Sequence, residues 1–262
     1  MTLLLPLIFI GIVWIAIIVL NETMHLFASD RFPSTAAKIA AYIWLGLLLF
    51  GLAAEVTMSA HHQPTKADLA RLPFWQLFLL HAVLVVFLVG WWLLTGRPPL
   101  RRFLNLEGGK SGEMVMTGIA VGVGGWIFTL LVAAMIAAIL AASGLMPVKP
   151  HVSPMIGWIV SLAAWKKVMI VLSAMTIEEA FFRGWLQKRV GLIASTILFA
   201  LAHVGLGQPL LLIGVGVISL VIGFTFYRTK NLLPGIIAHG IFDGVQLFVI
   251  IPMVFKVAGL GA

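Results

Sequence analysis

Residues 116–142 read MTGIAVGVGGWIFTLLVAAMIAAILAA, and none of these side chains is ionisable. A helix needs roughly 20 mostly apolar residues to cross a hydrocarbon core about 30 Å thick, so this stretch is long enough to span a membrane. Unpaired backbone amide and carbonyl groups are costly in lipid, and a helix pairs them within one segment. The stretch therefore predicts a transmembrane α-helix.

On both sides of this stretch, the chain repeats the same pattern of apolar runs and polar connections. Eight segments qualify as spans: 3–20, 37–54, 75–95, 116–142, 167–187, 190–205, 210–227 and 232–254. The sequence is 61% hydrophobic and 10% charged, with a mean hydropathy of +1.12, whereas a soluble domain carries about 25% charged residues. The predicted fold class is all-α: a polytopic membrane protein of about eight transmembrane helices, expected in a bacterial inner (plasma) membrane.

The formal net charge of +8 arises from Lys and Arg residues in short clusters between the apolar runs. Charges in such positions are typical of juxtamembrane loops that contact anionic lipid. We therefore expect the lipid bilayer, and no nucleic acid, as the partner of these charges. The absence of cysteine excludes disulfides, thiolate nucleophiles and cysteine-based metal sites. The oligomeric state stays open.

Ionisable residues inside the predicted spans are concentrated in the second half of the chain. Before residue 146, His81 is the one such group well inside a span, and we interpret it as a packing or hydrogen-bonding residue rather than a ligand. After residue 166, the spans contain Glu178, Glu179, Arg183, His203, His239 and Asp243. This asymmetry predicts an accessory part, 1–145, with helices 1 to 4, and a catalytic core, 146–262, with helices 5 to 8.

The buried charges of the second half are expected to act together. A charged side chain near the bilayer centre costs at least ~2.5–3.5 kcal/mol, so each one needs a partner or a function. Counting along ideal helices from one membrane face places four of them within a slab about 10 Å thick. These four are Glu178, His203, His239 and Asp243.

Spacing within each helix suggests which side chains meet. Glu179 and Arg183 are four residues apart and are expected to pair on one helix face. Glu178 is turned by about 100° from Glu179 in an α-helix, which leaves its carboxylate free for general acid–base chemistry. His239 and Asp243 are also four residues apart and can point toward one cavity.

Small residues are expected to bring helices close together in this region. Gly240 and Gly244 flank the polar pair of the last span, and Gly118 and Gly122 have the same spacing in the fourth span. Glycines four residues apart let helix backbones approach closely in lipid.

Three short motifs together resemble the signatures of one family, the CAAX-protease and bacteriocin-processing (CPBP, or Abi) intramembrane proteases, which includes the type II CAAX prenyl endopeptidases. In chain order the motifs are Glu178-Glu179-x-x-x-Arg183, Phe199-x-x-x-His203 and His239-x-x-x-Asp243. The resemblance covers roughly 155–255. Each motif alone recurs by chance, but all three in this order on three separate spans make a specific pattern.

The resemblance implies an endopeptidase that hydrolyses membrane-associated peptides or proteins, with prenylated C-terminal peptides as the family's best-known substrate class. It implies that Glu178 activates a water molecule, that His203 helps to hold and deprotonate it, and that His239 and Asp243 stabilise the oxyanion. It implies supporting roles for Glu179, Arg183 and Phe199. No cofactor is expected on this reading.

The last motif position raises a chemical question. Some members of the family have Asn there, which can donate a hydrogen bond, whereas an ionised Asp243 would repel an oxyanion. We therefore expect either a protonated Asp243 or an Asp243 that orients His239 so that the imidazole donates.

Three alternatives remain open at this stage. Histidines and acids also bind zinc or another divalent ion, although the His-Glu-x-x-His signature is absent from the sequence. Buried Glu, His and Asp residues also occur in transporters and proton relays. A third alternative is a non-catalytic membrane protein, such as an immunity or assembly factor, that retains the fold.

Overall fold

The computed structural model describes residues 4–28, 30–61, 64–145, 153–206 and 209–257. Within these ranges the secondary structure is helical and contains no β-strand, which confirms the all-α fold class. The α-helices are α1 (Leu4–Met24), α2 (Thr35–His61), α3 (Lys66–Arg71), α4 (Leu79–Leu94), α5 (Leu100–Phe103), α6 (Ser111–Ala142), α7 (Pro154–Ser161), α8 (Ala164–Ser173), α9 (Lys188–Ala202), α10 (Pro209–Thr229), α11 (Leu233–Val245) and α12 (Ile251–Val257).

In the part of the chain that the structure describes, seven helical segments are long and apolar enough to cross a membrane. They are Pro6–Met24, Thr35–Glu55, Phe74–Leu94, Ser111–Ala142, Ala164–Leu206, Leu211–Thr229 and Leu233–Val257. The number is close to the eight expected from the sequence. The difference lies in the fifth segment, which contains both of the predicted spans 167–187 and 190–205.

The fifth segment reverses direction at Gly191. Its 43 residues would extend about 65 Å as a straight helix, roughly twice the hydrocarbon thickness. Gly191 has φ 80° and ψ 176°, a conformation that glycine adopts more readily than other residues. As a result, the rings of Phe182 and Phe199 lie 4.9 Å apart, where a straight helix would separate them by about 25 Å. The two predicted spans therefore exist, joined by a one-residue break rather than a loop.

The segment after α8 is π-helical rather than α-helical. Two π-helical stretches, Ala174–Glu178 and Ala180–Gln187, follow α8 without interruption. The regular α geometry expected around Glu178 was therefore wrong, because a π turn changes the angle between successive side chains, whereas Glu179 is α-helical and forms the predicted pair with Arg183. Such turns are rare and frequently occur at functional sites.

Aromatic side chains hold α4 against the second π-helical stretch. The rings of Phe87 and Trp185 meet edge to face at 4.9 Å, and those of Trp91 and Trp185 at 5.1 Å. All three side chains are buried. Edge-to-face pairs at this distance are favourable beyond the area they bury. This cluster fixes the position of α4 relative to the helix that carries Glu178.

Close packing between α6 and α11 depends on glycine. A Cβ atom at Gly118 would lie 2.7 Å from Ile237 Cβ, and one at Gly122 would lie 2.9 Å from Ile241 Cδ1. The prediction of close helix approach at these two glycines is therefore confirmed.

The flanking glycines of α11 behave differently from each other. A Cβ at Gly240 would collide with the sulfur of Met175, whereas a Cβ at Gly244 would have no atom within 4 Å. The predicted close approach is thus confirmed at Gly240 and wrong at Gly244, which faces open space.

The division into an accessory part and a catalytic core remains a prediction. Its boundary between residues 145 and 146 lies at the edge of 146–152, which are outside the described residues.

Candidate active site

One cavity of about 640 Å³ contains the polar side chains singled out from the sequence. Its walls are mostly apolar, with Trp126 of α6, Ile218 of α10 and Phe242 of α11 among the lining residues. The ionisable groups that reach it are His81, Glu178, Arg183, His203, His239 and Asp243. The structure therefore brings the four candidate catalytic residues to one cavity.

The two carboxylate oxygens of Glu178 have different surroundings. Oε1 lies 3.0 Å from Nε2 of His81. Oε2 is buried and makes no hydrogen bond to the described residues, and it lies 3.8 Å from Nε2 of His203. That separation exceeds a direct hydrogen bond and allows one water oxygen to contact both atoms.

The backbone sets the orientation of His203. Its Nδ1 lies 2.8 Å from the carbonyl oxygen of Phe199, one helical turn earlier. Because a carbonyl oxygen only accepts hydrogen bonds, Nδ1 carries the proton and Nε2 of the neutral ring is an acceptor. That acceptor points at Glu178, so the two groups present two proton-accepting atoms to the same point.

Glu179 is fully buried and binds two cationic or polar partners with one oxygen. Its Oε1 lies 3.0 Å from Nη1 of Arg183 and 2.9 Å from Nδ1 of His239. The side chain of Glu179 has 0% exposure. Glu179 therefore orients His239, a contact that the sequence does not indicate because the two residues lie on different helices.

His239 also contacts Asp243. Its Nε2 lies 3.3 Å from Oδ2 of Asp243, whose side chain is 26% exposed. Since Nδ1 already donates to the carboxylate of Glu179, one further proton must lie between Nε2 and Oδ2, on the ring or on the carboxyl group. Both placements expected from the sequence, a protonated Asp243 and an Asp243 that orients His239, fit this contact.

The ring of Phe199 contacts three polar side chains of the site. The guanidinium of Arg183 lies 4.4 Å from its ring centroid, and the rings of His203 and His239 lie at 4.7 Å and 5.8 Å. Arg183 is fixed further by Nη2, which donates to the hydroxyl of Ser219 at 3.1 Å. The His203 ring is tilted against Phe199 and the His239 ring meets it edge to face, and such contacts hold the side chains in place without competing for their hydrogen bonds.

His81 is the site residue that sequence reasoning missed. The hydrogen-bonding role predicted from the sequence is confirmed, but the sequence did not indicate that His81 lines the cavity or that its partner is Glu178. Its position as the one ionisable group well inside the first four predicted spans was the available signal. Sequence spacing could not place it beside Glu178, because 97 residues separate them.

The described residues contain no group of three or more His, Asp and Glu side chains arranged to hold a metal ion. The arrangement instead pairs each imidazole with an acceptor group: His81 with Glu178, His203 with a carbonyl, and His239 with two carboxylates.

Comparison with known proteins supports the resemblance noted from the motifs. Residues 160–245, about a third of the chain, match the family described as type II CAAX prenyl endopeptidase Rce1-like, and this range contains all three motifs. The uncharacterized protein YpbD of Bacillus subtilis (strain 168) is 41% identical over 69 residues, which is 26% of this chain and 36% of that protein. The chain thus aligns with little more than a third of that relative's length. A comparison with solved structures gives no significant match. The protein is a multi-pass membrane protein whose residues 160–245 are similar to the Rce1-like CAAX prenyl endopeptidases, in agreement with the CAAX-protease family that its motifs resemble.

Proposed function

We propose that this protein is an intramembrane endopeptidase in which Glu178 activates a water molecule to cleave membrane-associated peptides or proteins. The observation that carries the proposal is the unpaired, buried Oε2 of Glu178. It lies 3.8 Å from the acceptor nitrogen of His203, inside a cavity that also receives His239 and Asp243.

The proposed reaction begins with a water bound between these two atoms. The water donates one hydrogen to Oε2 of Glu178 and the other to Nε2 of His203, and its lone pair attacks the scissile carbonyl carbon. As the C–O bond forms, Glu178 takes a proton and the carbonyl π electrons move to oxygen. The tetrahedral intermediate then collapses, the C–N bond breaks, and the proton on Glu178 moves to the leaving amine. The products are a carboxylic acid and an amine; the acid then gives its proton to Nε2 of His203 and from there to the amine, so that carboxylate and ammonium leave and Glu178 is regenerated.

The negative oxygen of the intermediate needs a hydrogen-bond donor. The hydrogen between Nε2 of His239 and Oδ2 of Asp243 supplies that donor: the contact is long at 3.3 Å, so whichever group carries the hydrogen can share it with the oxyanion in a bifurcated hydrogen bond. A donor held in place before the reaction stabilises developing charge without reorganisation, and loss of one such donor typically costs about 10²–10³ in kcat. Glu179 and Phe199 hold the His239 ring for this role.

The substrate is expected to be apolar as well as peptidic. The lining of the cavity is mostly hydrocarbon and aromatic, so it accepts an apolar group next to the scissile bond without an unpaired polar atom. Prenylated C-terminal peptides are the first candidates, and unmodified peptides from a membrane segment are the second.

A peptide panel tests the activity and the substrate class together. The full-length protein in proteoliposomes is offered fluorogenic peptides with a farnesylated cysteine near the C-terminus, the same peptides without the lipid, and a hydrophobic membrane-segment peptide. We expect wild type to cleave at least one class, with the products identified by mass spectrometry. Glu178→Ala should lose at least about 10²-fold of the rate, which is the usual contribution of a general base.

The outcome also separates the other classes of function. A wild-type protein that cleaves none of the three classes contradicts the proposal. Ion or solute uptake into the proteoliposomes that Glu178→Gln abolishes, without any cleavage, identifies a transporter instead.

A further inference from the structure

His81 forms a hydrogen bond to the candidate general base from a helix outside the matched region. It lies on α4, whereas the family match begins at residue 160. We propose that His81 is a positioning residue for Glu178 and that Ser173 sets the tautomer of its imidazole. This inference rests on the proposed function, because it assigns roles around the same carboxylate.

Both ring nitrogens of His81 are engaged by one continuous helix. Nδ1 lies 2.6 Å from Oγ of Ser173, and Nε2 lies 3.0 Å from Oε1 of Glu178. The imidazole is 12% exposed, so these contacts are shielded from competing solvent. The ring is therefore held at both ends.

The π-helical turn explains how one helix binds both nitrogens. Ser173 and Glu178 are five residues apart, and Ala174–Glu178 is π-helical. In a regular α-helix, residues five apart point about 140° away from each other. The i→i+5 pattern of a π turn brings such residues to one face. The turn thus allows both side chains to reach a single imidazole.

The hydrogen-bond chemistry fixes where the protons lie. A carboxylate only accepts, so Nε2 of His81 must carry a hydrogen when Glu178 is ionised. Nδ1 of the neutral ring is then an acceptor, and the hydroxyl of Ser173 donates to it. Without that hydroxyl, the ring can carry its hydrogen on Nδ1 and turn a lone pair toward the carboxylate.

The two carboxylate oxygens of Glu178 therefore have different roles. Oε1 is occupied by His81, and Oε2 remains for the water that His203 also contacts. The carboxylate cannot rotate freely, because the imidazole is itself held by α4. Phe87 and Trp91 anchor that helix six and ten residues further along. The contact orients the carboxylate that reacts, so we expect its loss to lower kcat more than it changes KM.

The first test replaces His81 by two side chains with opposite properties. His81→Phe keeps the ring and removes the donor, and His81→Gln keeps a donor. With the peptide that the wild type cleaves best, we expect kcat of His81→Phe to fall about 10- to 100-fold, the range for loss of one hydrogen bond to a charged group. KM should change little, and His81→Gln should recover a large part of kcat. Equal kcat for His81→Phe and wild type overturns the inference.

The second test acts through Ser173 and does not require a change at His81. Ser173→Ala should lower kcat about 2- to 12-fold, the range for one neutral hydrogen bond, while Ser173→Thr retains it. Thr176→Ala is the matched control, because the hydroxyl of Thr176 bonds only to backbone on the same turn. On the His81→Phe background, Ser173→Ala should have no further effect. Additive losses of kcat in the double variant, or equal losses of kcat for Ser173→Ala and Thr176→Ala, contradict the role assigned to Ser173.

These results are distinguishable from failure of the proposed function. If Glu178→Ala abolishes cleavage while His81→Phe and Ser173→Ala are as active as wild type, the role of Glu178 as general base is supported and the positioning role of His81 is wrong. If Glu178→Ala itself retains wild-type cleavage, the proposed function fails whatever His81 does. If His81→Phe does not accumulate in the membrane, the Ser173 series decides.

Discussion

At the scale of single residues, the site contrasts two carboxylates that bind the same imidazole. Glu179 is fully buried and faces Arg183, so its negative charge is compensated. Asp243 is partly exposed to the cavity and has His239 as its partner. The carboxylate of Glu179 therefore holds the His239 ring in place. The carboxylate of Asp243 faces the cavity and shares the hydrogen at Nε2 of His239, which a substrate can reach.

Substitution of Asp243 tests this division. Asp243→Ala removes the group that shares the Nε2 proton, and we expect kcat to fall about 10- to 100-fold. Asp243→Asn should retain more activity than Asp243→Ala, because an amide can both accept from the ring and donate to an oxyanion. Steady-state cleavage by both variants decides the matter. An inactive Asp243→Asn beside an active Asp243→Ala contradicts the orienting role.

Substitution of Glu179 should affect stability as well as activity. Glu179→Gln leaves the guanidinium of Arg183 buried without its counter-charge, and breaking a buried pair costs about 3–5 kcal/mol. We expect the free energy of unfolding in detergent to fall by that amount. Glu113→Gln is the control, since its pair with Lys110 spans 3.8 Å on the exposed surface and such pairs contribute little. Equal stability of the two variants contradicts the structural role of Glu179.

Metal removal distinguishes the zinc alternative from the reaction proposed above. We expect chelation by EDTA or 1,10-phenanthroline to leave cleavage unchanged, because in the proposed reaction Glu178 and His203 activate the water without a metal ion. The measurements are activity after chelation and metal content of the purified protein. Loss of activity that added zinc restores, with about one zinc per chain, contradicts the account.

At the scale of helices, the sequence predicted where the helices lie along the chain better than it predicted their local geometry. The apolar runs located each span, and the glycines at 118 and 122 located the close contact with α11. The π-helical turns were missed because no residue pattern distinguishes them from an α-helix of the same composition. The reversal at Gly191 was expected only as a gap between two spans, since a single positive φ leaves no hydropathy signal.

The glycines of α6 provide a matched test of helix packing. Gly122→Leu would place a side chain against Ala238 and Ile241 of α11, whereas Gly124 has no atom within 4 Å of an added Cβ. Over-packing of this kind typically costs about 1–3 kcal/mol. We expect Gly122→Leu to lower the free energy of unfolding by that amount and Gly124→Leu to leave it unchanged. Similar effects of both substitutions contradict the packing of α6 on α11.

At the scale of the whole molecule, the first half of the chain contributes directly to the site in the second half. The sequence predicted an accessory part for the first four helices, because His81 is the one ionisable group well inside them. The four motif residues Glu178, His203, His239 and Asp243 were identified from spacing and depth, and they line one cavity. The contacts of Glu178 with His81 and of Glu179 with His239 were not predicted. They join residues distant in sequence, and no spacing rule connects different helices.

The central claim is that Glu178 activates a water that enters the product. The most direct measurement is single-turnover cleavage in ¹⁸O-labelled water by wild type and Glu178→Gln, with product and enzyme analysed by mass spectrometry. We predict one ¹⁸O atom in the new carboxyl group, unlabelled Glu178, and loss of at least about 10² in rate for the variant. Cleavage by Glu178→Gln at the wild-type rate, or label that appears in Glu178 before the product, would contradict the account.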